Sequence, residues 1–106
     1  FFCNLYSPDD TSELNKNFVA EYKKMFKAEP DVFAALSYDS TLAIAQSIEN
    51  AKSADPAKVA EAMAKIKDLQ GVTGATTFDD KHNPIKSAVI IEHVDGKQTF
   101  KTKINP

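Results

Sequence analysis

The chain has 106 residues, 42% of them hydrophobic and 26% charged, which is enough apolar surface to offset chain entropy and form one small domain. Its 13 basic and 15 acidic residues are mixed along the sequence for a net charge of −2, so no basic stripe is available to nucleic acid, and none is expected as a partner. No apolar run approaches the roughly 20 residues that cross a bilayer.

Phe1-Phe2-Cys3-Asn4-Leu5-Tyr6 opens without an initiator Met or a targeting segment and reads as the middle of a strand. A fragment of a longer protein is expected, with a processed natural N-terminus as the alternative. Cys3 is the only cysteine, so no internal disulfide forms. Only two residues precede it, where the apolar stretch of a signal would stand, so it is read as a half-buried strand residue. Ser7-Pro8-Asp9-Asp10 is a turn. A helix is expected from about Ser12 to Lys27, with Asp10 and Glu13 at capping-box spacing and Leu14, Phe18, Tyr22 and Met25 at helical spacing. It must stop before Pro30.

Val32-Phe33-Ala34-Ala35 is short and apolar and is read as a buried strand. A second helix then starts near Ser37 as cap, with Asp39 in its first turn and Leu42, Ala45, Ile48 and Ala51 on one face. Asp55-Pro56 starts a third helix, running to about Lys67 with Val59, Met63 and Ile66 inward. Gly71 to Gly74 breaks the chain. Thr76-Thr77-Phe78 reads as a strand, Asp79 to Pro84 as a turn, and Ile85 to Val94 as one further strand. Asp95-Gly96 is a tight hairpin signal, returning through Lys97 to Ile104. On that last strand Phe100, Thr102 and Ile104 alternate with Thr99, Lys101 and Lys103. The order is α/β: three helices packed on short strands plus a C-terminal β-hairpin. Alternation of strands and helices favours a parallel sheet, and the helices carry more apolar face than these strands can cover.

The sequence offers little for catalysis. Asp9-Asp10 and Asp79-Asp80 sit in turns, where aspartate bonds its own backbone. His82 and His93 lack a third metal ligand nearby, and neither a nucleophile–base pattern nor a glycine-rich phosphate loop is present. No enzyme activity, cofactor or metal is expected. Phe33-Ala34-Ala35-Leu36-Ser37-Tyr38-Asp39 has more content, because open α/β sheets bind ligands where strands hand over to helix N-termini. Otherwise Phe33 and Tyr38 fill core and Asp39 assists the helix start.

The ordered set Phe18-Val19-x-x-Tyr22-Lys23-Lys24, Glu29-Pro30-Asp31-x-Phe33-Ala34-Ala35-x-x-Tyr38-Asp39, Asp55-Pro56-x-x-Val59 and Gly71-Val72-Thr73-Gly74-x-x-Thr77-Phe78-Asp79 resembles the C-terminal region of Leu/Ile/Val-type periplasmic binding proteins. The likeness runs over nearly the whole chain. It implies a partial type I binding-protein fold, with residues 1–7 in lobe 2 and its crossover, 8–86 in lobe 1, and 87–106 returning to lobe 2. It implies the extracytoplasmic solute-binding component of an ABC importer, secreted or lipid-anchored, whose partners are an aliphatic amino acid and the permease. A sensory domain of the same architecture and an unrelated small α/β enzyme are the alternatives. By the same likeness Phe33, Tyr38 and Asp39 are the ligand-site residues, Phe33 against the ligand side chain and the other two beside cleft and hinge. The sequence departs from the family where Lys27-Ala28 stand for a glycine and Asp80 to Pro84 for an Asp-x-x-Gly turn. A whole protein about three to four times this length is expected, and the isolated segment, with half its cleft absent, is expected to self-associate.

Overall fold

The computed structural model describes all residues from Phe1 to Pro106. In chain order the elements are β1 (Phe2–Asn4), α1 (Glu13–Phe26), α2 (Val32–Ala51), α3 (Pro56–Ala64), β2 (Leu69–Gly71), β3 (Gly74–Phe78), β4 (Pro84–Lys86), β5 (Ala88–Val94) and β6 (Lys97–Ile104). The family-type α/β arrangement of helices and short strands is present, and several local expectations are corrected.

α1 begins at Ser12, whose extended backbone and hydroxyl cap the Asn15 N–H. Asp10 does not cap the helix. Its carboxylate accepts from the Ser12 N–H at 2.9 Å and pairs with the Lys103 ammonium. Asn15 is fully buried and donates to the carbonyls of Ser7, Pro8 and Asp10, tying the preceding turn to the helix. α1 ends with Lys27 in the left-handed region at φ 55°, the conformation a glycine adopts more cheaply.

Val32–Ala35 is helix, not strand. Asp31 caps it, its carboxylate accepting the Ala34 N–H at 2.8 Å, so Ser37 lies inside the helix and caps nothing. A run of four apolar residues fits either structure by periodicity. The decision comes from the longer pattern: Ala35, Asp39, Ala43 and Ser47 are all buried at four-residue spacing. Three of these four are small, which lets α2 approach its neighbours closely. Ser47 satisfies its own hydroxyl on the Ala43 carbonyl at 2.6 Å. Asp39 is therefore buried mid-helix, and not a first-turn anion.

α3 starts as expected, with Asp55 capping and Pro56 at the first position. It stops at Ala64 because Ile66 is drawn into the core and its carbonyl accepts the Phe78 N–H at 3.2 Å.

Two three-stranded sheets follow, ordered β1-β5-β6 and β2-β3-β4, with every pairing antiparallel. The expected parallel sheet is absent, since all strands after α3 are joined by short links that reverse the chain, and parallel neighbours need a crossover. The stretch Ile85–Val94 is divided at buried Ser87, where the chain passes from one sheet to the other and the Ser87 hydroxyl meets Asn105 Oδ1 at 2.9 Å. Asp95 (φ 50°) and Gly96 (φ 77°) make the primed hairpin turn. The alternation expected for β6 breaks at Lys101. Ile90 pairs with Thr102 but Ile91 with Phe100, so a bulge puts Phe100 and Lys103 on the face shared with buried Val89 and Ile91. Cys3, on edge strand β1, is exposed.

The core gathers Tyr6, Phe18, Ala35 and Val72, with Val19, Tyr22, Val32 and Ala34 packed around it. It joins α1, α2, the β2–β3 turn and the segment leaving β1. Much apolar surface stays open: Met25 and Phe26 on α1, and Phe33, Ile44 and Ile48 on α2.

Candidate functional site

The first half of α2 carries the three residues singled out above. Phe33 stands in the first turn with 73% of its surface exposed. Tyr38 is 44% exposed, and its ring lies 4.9 Å from that of Phe18, with which Tyr6 and Tyr22 form an aromatic chain. Asp39 is only 7% exposed. At about 100° per residue, Tyr38 lies about 140° and Asp39 about 120° around the helix from Phe33. The three side chains leave α2 in three directions, so the structure does not gather them at one point.

Their surroundings differ accordingly. Phe33 meets solvent. Tyr38 spends one face on Phe18 and keeps the rest open. Asp39 is turned to the β2–β3 turn, where Oδ1 accepts the Val72 N–H at 2.8 Å and Oδ2 accepts the Thr73 N–H at 2.9 Å and the Thr73 hydroxyl. Lys86 approaches the same Oδ2 at 4.0 Å and is itself 10% exposed in its side chain. Burial pushes the Lys86 ammonium below the ordinary lysine pKa, and the Asp39 carboxylate offsets part of that. Val72, Thr73 and Lys86 escaped the sequence reading as partners of Asp39. The Gly71-Val72-Thr73-Gly74 segment was the only local signal for them.

A cavity of about 700 Å³ opens beside this helix start, between the α1–α2 connection and the β1-β5-β6 sheet. Asn4, Tyr6, Asp9, Glu29, Asp31 and Lys97 are among its walls, which are mostly polar and carry more acidic than basic groups. Its size is within the range of small-molecule sites. Val32 is the one α2 residue in its wall, and Phe33, Tyr38 and Asp39 do not line it. Burial, together with the nearby carboxylates of Glu29, Asp10 and Asp9, pushes the Tyr6 phenol upward, so it stays neutral there. No group of three or more His, Cys, Asp or Glu side chains gathers as metal ligands, and no helix is long and apolar enough to cross a membrane.

The family model for periplasmic binding proteins matches residues 1–98. This chain belongs to the periplasmic binding protein family. Among solved structures of periplasmic binding proteins, it is similar to a leucine-binding protein of Thermotoga maritima, at 34% identity and a TM-score of 0.85 over 99% of this chain and 30% of that one. It is similar to the branched-chain amino-acid transporter substrate-binding protein of Streptococcus pneumoniae, solved with isoleucine, at 34% identity and a TM-score of 0.83, covering 99% and 30%. A solute-binding protein of an ABC transporter from Rhodopseudomonas palustris, solved with 3,4-dihydroxybenzoic acid, matches at 26% identity and a TM-score of 0.82, covering 97% and 30%. The chain thus spans about 30% of the length of these binding proteins. The three-helix, two-sheet unit is part of a type I binding-protein fold.

Proposed function

We propose that these residues belong to the extracytoplasmic solute-binding component of an ABC importer, which takes a branched-chain or other small hydrophobic amino acid in a cleft between two lobes. The protein is a carrier that hands ligand to a permease, and it catalyses no reaction. Exposed Phe33 carries the reading: it is a large apolar side chain at a helix start, free to meet an aliphatic group. The relatives solved with or named for leucine and isoleucine support that ligand class. Tyr38 lines the cleft with its open edge, and Asp39 belongs to the site through the β2–β3 turn. Residues 1–7 and 87–106 belong to lobe 2 and residues 8–86 to lobe 1. The pairing of β1 with β5 across the intervening helices, and the passage between sheets at Ser87, favour that division.

An aromatic acid is the second reading, favoured by the relative solved with 3,4-dihydroxybenzoic acid. Titration calorimetry on the full-length protein separates the two. Burying an aliphatic side chain on an aromatic ring contributes about 1–3 kcal/mol, so Phe33→Ala should weaken leucine binding about ten- to a hundredfold. Unchanged affinity with a lowered melting temperature would assign Phe33 to the core instead. Tight benzoate binding without leucine binding would select the second reading.

A further inference from the structure

We infer that Asp39 is a positioning residue for the ligand site, seating α2 on the β2–β3 turn and so setting where Phe33 and Tyr38 stand in the cleft. The inference rests on the reading that those two side chains line it. Asp39 is turned to the protein itself: its carboxylate is buried and takes three donors from Val72 and Thr73. Two successive backbone N–H groups facing one carboxylate form an anion-holding nest, here occupied by the protein's own side chain. Lys86 supplies the counter-charge that a buried carboxylate needs.

The turn is also connected to Tyr38 by packing. Val72 is in the core with Phe18, and Phe18 carries the Tyr38 ring. A shift of Asp39 on the turn therefore reaches Tyr38 by two routes, along α2 and through Val72 and Phe18.

Gly71 makes the requirement visible. A Cβ there would lie 2.5 Å from the Asp39 carboxylate carbon and both its oxygens. Gly71 is not among the positive-φ residues, so the backbone accepts any side chain. The three atoms nearest to such a Cβ all belong to Asp39. Gly71→Ala must then push Asp39 off its seat while leaving the carboxylate chemically intact.

The test uses the full-length protein, with L-leucine and L-valine as probes, titrated well below the melting temperature. A fitted pocket separates ligands differing by one methylene about tenfold or more, and a displaced Phe33 should lower that leucine-to-valine ratio about threefold or more. Asp39→Ala and Gly71→Ala should each do so. The double variant should be no worse than Asp39→Ala alone, because the new Cβ occupies room that the carboxylate left. Thr73→Val keeps the volume and removes one donor, so it serves if the other variants do not fold, and it should move the ratio in the same direction. Folded variants with lower melting temperatures and an unchanged ratio would overturn the inference, as would single-variant losses that multiply in the double. If Phe33→Ala also leaves affinity unchanged, the underlying site reading has failed. If Phe33→Ala weakens binding while these variants do not, only the positioning role has failed.

Discussion

Lys103→Met probes the link between the last strand and the turn ahead of α1. Asp10 is buried, and its carboxylate holds the Ser12 N–H at 2.9 Å and the Lys103 ammonium, whose side chain is 27% exposed. Removing the ammonium leaves a buried carboxylate with one donor. Stripping a partner from a fully buried pair costs about 3–5 kcal/mol, and from a surface pair about 0–1. A half-screened pair falls between, at about 1–2 kcal/mol, or a few degrees of melting temperature in a large domain. The pH dependence gives the sharper check. Burial alone would push the Asp10 carboxyl upward, but Lys103 and the Ser12 N–H outweigh it and hold its pKa below the usual value. A carboxyl with a depressed folded pKa contributes stability that is complete above its unfolded pKa, about 4, and lost as pH falls through the folded one. The melting difference between wild type and Lys103→Met should be constant from about pH 5 to 8 and shrink below about pH 4. Scanning calorimetry of the full-length protein across that range measures it. Equal melting temperatures at neutral pH, or a difference undiminished near pH 2.5, would refute the reasoning.

Lys86 acts in the same direction at the alkaline end of the pH scale. Its folded pKa lies below the ordinary 10.5, so the unfolded chain holds the extra proton between the two values and stability rises with pH there. Wild type should gain on Lys86→Met as pH approaches 10.5, and melting curves with a flat difference would count against it. Gly96 has open space around it and φ 77°, so Gly96→Ala should cost about 1 kcal/mol by backbone strain alone, readable by denaturant titration. The 106-residue chain by itself leaves Phe26, Phe33 and Ile44 uncovered and should self-associate; light scattering that finds a stable monomer contradicts this.

Features with local causes were legible in the residues. Asp55-Pro56 starts a helix and Asp95-Gly96 turns a hairpin, because a side-chain cap, a fixed φ and a positive φ act within a few residues. The extent of α1 and the family likeness were legible for the same reason: both are patterns along the chain. Of the expected α1 stripe, however, only Phe18 is fully buried, while Leu14 and Met25 are exposed and Asn15 takes a buried place. Val32–Ala35 shows where local reading stops. Four apolar residues satisfy strand and helix alike, and burial at Ala35, Asp39, Ala43 and Ser47 appears only once α2 has something to lie against. Nothing near Ser87 announces that β4 and β5 part company, and nothing near Lys101 announces a bulge, since sheet membership and register are set by partners far along the chain.

The site divides in the same way. Phe33, Tyr38 and Asp39 were singled out in the sequence as one group. The tertiary structure alone separates them around α2 and assigns Asp39 to Val72 and Thr73, more than 30 residues away, with Lys86 behind it. A buried carboxylate persists only where donors and a counter-charge converge on it, and that convergence comes from packing between elements rather than from neighbours in the chain.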